Sequence, residues 1–270
     1  MISRLRMSPR APLLPGDALA LTGDADGGGA LWLIHAGRNA ARDGFDRAVF
    51  DPDEERCGLA DARVALSRAV PALWQGVEDV PVDGAIRVGD GKEHPIDRLD
   101  GTSFGLAFGL ALASASMGVA PARIAATGVV DPSGEVLPCD WIEAKVRAAY
   151  DLDFRGVVIP RGRDAAEAAR RALPYRVGHF VDDTESTRSN IEYLIHMGEF
   201  VVVQVATLGD AIRSVVGDAA NHLVTLSDRD VARLPDALTA IALEPRDKVA
   251  DWSPIETAAT LLLDRSCWTS

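Results

Sequence analysis

The chain has 270 residues, enough for one large domain or one domain with an appendage, and its 47% hydrophobic and 25% charged residues match the globular average. That composition excludes wholesale disorder, a collagen-like repeat and a coiled coil. Asp plus Glu number 40 against 28 Lys plus Arg, a formal charge of −12, so nucleic acid and acidic membrane faces are repelled and are not expected as partners.

Residues 1–15 read as a flexible leader. Arg4, Arg6 and Arg10 precede an apolar stretch, 11–15, that is too short and too proline-broken for a signal-peptide core. No window reaches the ~18 uninterrupted apolar residues of a membrane helix. Cys57, Cys139 and Cys267 are widely spaced, form no CxxC pair and read as reduced thiols, so a cytoplasmic location is expected. Two short apolar runs, 18–22 and 30–34, flank a glycine-rich segment and predict two strands joined by a turn. The glycines do not make a phosphate loop, because no Lys-Ser or Lys-Thr follows them.

Apolar residues at helical spacing predict a helix over 60–75, and a strand follows at 84–88. After a polar loop the chain reads Asp100-Gly101-Thr102-Ser103 and then, over 104–117, FGLAFGLALASASM, the pattern of a helix buried on every side. Segments 122–127 and 135–137 flank Asp131-Pro132-Ser133-Gly134 and predict a hairpin. A helix is expected over 141–150, with Ile142, Val146 and Ala149 on its apolar face and Glu143 and Arg147 opposite. A short buried strand at 156–160, a helix over 163–173, a strand at 200–206 and a helix over 208–216 complete the pattern. The polar run that begins at Asp182 reads as a surface insertion over about 182–198, and 217–270 as a helical C-terminal extension.

Ser103 stands where a serine ordinarily caps a helix. A helix start also offers backbone N–H groups to a developing oxyanion, so capping and nucleophilic catalysis are compatible there. Only Lys92, Lys145 and Lys248 among the basic residues are lysine, and a lysine does what arginine cannot: it loses its proton. Lys145 is flanked by apolar residues that would shield its amine and bring its pKa toward neutrality, making it a base for a serine hydroxyl. His35, His94, His179, His196 and His222 are scattered and form no metal-binding spacing, and no cofactor is called for.

Together these residues resemble the proteolytic domain of the Lon proteases. The family's serine motif, Asp-Gly-Pro-Ser-Ala-Gly, is similar to Asp100-Gly101-Thr102-Ser103-Phe104-Gly105. Its threonine-glycine resembles Thr127-Gly128, its Gly-x-Val-Leu-Pro resembles Gly134 to Pro138, and its catalytic lysine falls on Lys145, 42 residues after Ser103. The chain departs from the family at Thr102, which replaces a proline, and at Asp140-Trp141, which replaces a glycine pair.

The resemblance implies an α/β fold of the Lon-proteolytic type, a mixed sheet with packed helices over 16–216. It implies a serine endopeptidase with a Ser103–Lys145 dyad, supported by Thr127 and Asp100, whose substrate entrance is narrowed by Trp141 and Asp140. It further implies protein or peptide substrates, a homo-oligomer of six subunits in a ring, and any ATPase partner acting in trans. The alternative is a catalytically silent scaffold of the same fold that binds a partner protein.

Overall fold

The computed structural model describes residues 13–37, 58–70, 80–88, 101–174, 177–182 and 187–217. Asp100, Cys57, Cys267, Lys92, Lys248, His94, His222, the expected leader up to residue 12 and the expected extension from 218 onward lie outside the described residues.

Strands β1 (Asp17–Gly23) and β2 (Gly29–Ala36) form the expected hairpin, paired antiparallel from Asp17↔His35 to Gly23↔Gly29. Its turn is closed by the Asp24 carboxylate, which accepts from the Asp26 and Gly28 N–H groups at 3.0 and 2.7 Å. Helix α1 (Leu59–Ala69) and strand β3 (Val82–Val88) follow. A 3-10 turn at Thr102–Phe104 leads into helix α2 (Gly105–Met117), of which only Ala115 and Ser116 escape full burial. Its one fully buried polar side chain, Ser114, accepts from Gly16 N–H at 2.8 Å and donates to the Val119 carbonyl at 2.7 Å, so burial leaves it satisfied.

The next segment departs from expectation. The stretch 122–127 is not an arm of the hairpin; its strand, β4 (Ala125–Ala126), joins the main sheet parallel to β1. The hairpin is instead β5 (Val129–Val130) with β6 (Val136–Leu137), standing apart as a two-stranded sheet. The reason lies in the backbone at the break. Thr127 N–H donates to the Val158 carbonyl at 3.0 Å within the main sheet, whereas Gly128 N–H turns away to the Ser103 carbonyl at 3.1 Å.

Helix α3 (Ile142–Asp151), strand β7 (Gly156–Pro160) and helix α4 (Arg163–Ala172) follow the sequence pattern closely. Strand β8 (His179–Asp182), helix α5 (Arg188–His196), strand β9 (Val201–Val205) and helix α6 (Leu208–Val215) close the described chain. Helix α5 occupies the stretch expected as a surface insertion. It buries Ile191 and ties itself down through Arg188, which donates to the Ala120 and Val216 carbonyls at 2.8 Å each. The polar residues around it had concealed a helical repeat of Ile191, Leu194 and Ile195.

The architecture is a seven-stranded mixed sheet in the order β3-β2-β1-β4-β7-β9-β8, antiparallel through β3, β2 and β1 and parallel from β1 onward. Alternation along the strands divides the core in two. Ala18, Ala20, Val201 and Val203 pack under α1, α2, α5 and α6, whereas Leu19, Leu21, Val157 and Val202 pack under α3 and α4. Each large side chain so buried contributes about 1.5–3 kcal/mol relative to leaving it in water. The fold is therefore α/β with helices on both faces of the sheet, and no helix among the described residues is long and apolar enough to cross a membrane.

Candidate functional site

The sequence-selected residues gather where β4 ends. Thr127 follows its last residue, at the carboxyl edge of the parallel strands, the rim at which open α/β sheets commonly bind ligands. Gly128 then ties this rim to the turn that carries Ser103. It donates to the Ser103 carbonyl and accepts from Leu106 N–H, both at 3.1 Å. The serine turn is thus clamped by two backbone bonds to the residue after Thr127.

The Ser103 hydroxyl does not cap a helix. The residues at the cap positions of the 3-10 turn and of α2 are Gly101 and Phe104, and neither cap makes a side-chain hydrogen bond. The turn's own first bond is Phe104 N–H to the Gly101 carbonyl at 3.5 Å, which leaves the Thr102 and Ser103 N–H groups at its start without a partner inside the turn. Gly101 makes the turn at φ 107°, a conformation that suits glycine alone.

Lys145 lies in the second half of the first turns of α3, its N–H bonded to the Trp141 carbonyl at 3.0 Å. The side chain is 2% exposed, and its stem packs beside the β1 strand end, where a Cβ added at Gly23 would stand 3.3 Å from Lys145 Cγ. Among the described residues Lys145 has no carboxylate partner; its Nζ donates to Cys139 Sγ at 3.5 Å. Thr127, fully buried, places its Oγ1 at 3.5 Å from the same sulfur. The three side chains form a connected row, Thr127–Cys139–Lys145. Burying an amine and a hydroxyl in this way is costly unless they are hydrogen-bonded, and the sulfur is what meets both.

The structure thus brings Thr127 and Lys145 together through Cys139 and brings Ser103 to their edge through Gly128. Among the described residues no hydrogen bond joins the Ser103 hydroxyl to the Lys145 amine. Asp140 and Trp141 lie beside the row and are exposed, Trp141 by 50%. Trp141 is not within the helix, as expected, but is its cap residue at φ 56°, ψ 33°, a left-handed conformation where the Lon motif carries a glycine. Cys139 is the member that sequence reasoning missed. Its one signal was position, in the short link between the hairpin motif and the lysine helix. No group of three or more His, Cys, Asp and Glu side chains that suits a metal ion occurs among the described residues.

No family model matches the chain, and no curated protein matches it.

Proposed function

We propose that this chain is a Lon-like serine endopeptidase that hydrolyses peptide bonds through Ser103 and Lys145. What supports the reading is the burial of Lys145 without a carboxylate among the described residues, in a row of polar side chains that ends at the clamped Ser103 turn. A buried lysine amine with no carboxylate partner among the described residues is placed to serve as the base for a serine hydroxyl.

In the reaction the Lys145 amine accepts the Ser103 hydroxyl proton while Oγ attacks the scissile carbonyl. The Thr102 and Ser103 N–H groups at the start of the turn face the oxyanion. The Lys145 ammonium then protonates the departing amine, and water, deprotonated by the same lysine, releases the acyl group from Ser103. The Ser103–Lys145 hydrogen bond forms when substrate fills the site, since catalytic hydrogen bonds commonly tighten only in the complex. Thr127 supports the lysine by way of Cys139, and Trp141 and Asp140 border the substrate entrance. The protein works in the cytoplasm as a homo-oligomeric ring of six on protein or peptide substrates, either without ATP or with an ATPase acting in trans.

One observation favours a second reading, that of a silent scaffold of the same fold which binds a partner protein: the Lys145 amine is bonded to sulfur rather than to Ser103. A fluorophosphonate probe separates the two. Labelling of Ser103 that disappears in Lys145→Arg supports the peptidase, because arginine does not serve as the base. A folded protein whose Ser103 stays unlabelled supports the scaffold.

A further inference from the structure

Cys139 is half-buried, in a link whose other members, Leu137, Pro138 and Asp140, are exposed. Two polar side chains, each at least nine-tenths buried, aim at its sulfur from different elements: Lys145 Nζ from α3 and Thr127 Oγ1 from the end of β4, each at 3.5 Å. Neither has another side-chain partner among the described residues. The amine is placed to take the thiol proton in the course of an exchange, and partial exposure lets a small reagent reach the sulfur.

We propose that Cys139 is a modification site, a Lys145-assisted thiol that takes up a low-molecular-weight disulfide. In this exchange Lys145 accepts the thiol proton and the thiolate attacks one sulfur of the disulfide. The new bond joins Cys139 Sγ to that sulfur, and the old S–S bond breaks. The second half leaves as a thiolate and takes the proton back from Lys145. Cys139 is oxidised, the departing thiol is the reduced product, and no further oxidant is needed. The adduct sits against the lysine amine, so its consequence for peptide hydrolysis rests on the proposed function, whereas the thiol chemistry does not.

The experiment is alkylation of the full chain by iodoacetamide at neutral pH, read by mass spectrometry on the peptide that contains Cys139. The expected result is labelling about tenfold faster than in Lys145→Met. Equal rates in the two folded proteins overturn the proposal. A second comparison needs no variant: native Cys139 is expected to react faster than Cys139 in the urea-unfolded chain, and a native rate equal to or below the unfolded one overturns the proposal. Incubation with oxidised glutathione should leave a mixed disulfide at Cys139 that dithiothreitol removes; its absence counts against the site. Because these readouts do not depend on peptide cleavage, a protein with a fast Cys139 and an unlabelled Ser103 upholds this inference while setting aside the peptidase reading.

Discussion

Helix α2 and helix α3 both begin near the rim where β4 ends, each next to a residue of the candidate dyad, and the chain enters them in different ways. Before α2 the turn is made by Gly101 at φ 107°, and a Cβ placed there would meet nothing within 4 Å. Before α3 a left-handed residue is again required, yet the position holds Trp141 at φ 56°. For a residue with a side chain that backbone costs roughly 1–2 kcal/mol. The surroundings hold it in place. The Trp141 carbonyl accepts the Lys145 N–H, and the backbone of Gly23 lies so close that an added Cβ would stand 2.8 Å from Trp141 Cβ. The serine side of the site is therefore relaxed and anchored by backbone bonds, whereas the lysine side is strained and anchored by packing. Disturbances to packing should reach Lys145 before they reach Ser103.

The largest effect tests whether the two sides act as one unit. Ser103→Ala and Lys145→Ala should each lower the peptide cleavage rate about a thousandfold or more, with the double variant hardly worse than either, because each alone disables the same step. Circular dichroism should show the fold intact in all three. Additive losses would mean that the two residues serve separate functions.

A smaller effect is expected at the packing anchor. Gly23→Val should destabilise the protein by about 1–3 kcal/mol in urea denaturation, since the added atoms have no room against Trp141 and the lysine stem. It should lower peptide cleavage beyond what the stability loss accounts for. Unchanged cleavage in the folded fraction would show that the lysine side tolerates displacement.

The strain itself is read by comparing two substitutions at one position. Trp141→Ala and Trp141→Gly both remove the indole, but only glycine is at ease at φ 56°. The glycine variant should be the more stable by about 1 kcal/mol. Equal stabilities would remove strain from the account of α3.

The smallest effect lies in the β5–β6 turn, outside the dyad. The Ser133 hydroxyl, and after it the backbone N–H groups of Glu135, Ser133 and Gly134, hold the Asp131 carboxyl below its ordinary value. A carboxyl so depressed adds stability that is fully present above its unfolded value near 3.8 and fades as pH falls through the lower folded value. Asp131→Ala should cost about 1 kcal/mol at neutral pH, and the gap from the unaltered protein should narrow in acid. A gap that stays constant with pH would mean that the charge of Asp131 is not what stabilises the turn.

Much of this fold was legible because burial leaves a period in the sequence. The all-apolar run over 104–117 became the buried α2, and Val157 to Ile159 became a strand enclosed on both faces. The hairpin was misplaced by one arm because the two residues of β4 are too few to carry a period, and the hydrogen bonds of Thr127 and Gly128 decide where each segment pairs. Helix α5 was hidden for the opposite reason: three apolar residues in a polar run suffice for a helix that packs along one edge.

The candidate site divides along the same line. The sequence by itself singled out Ser103, Thr127 and Lys145, through motif order and through the scarcity of lysine in an arginine-rich chain, both properties of the linear string. Only the tertiary structure decided that Lys145 is buried, that Cys139 stands between it and Thr127, that Gly128 clamps the serine turn and that Gly23 lies under the lysine stem. The physical reason is that the Gly128–Ser103 and Gly23–Lys145 approaches join segments remote in sequence, set by how β4 threads between β1 and β7, while the Thr127–Cys139–Lys145 row depends on how the short link between β6 and α3 folds back. No local propensity encodes the approach of the Cys139 thiol to the Lys145 amine, because it depends on the path of the link that carries the thiol into the helix that carries the amine.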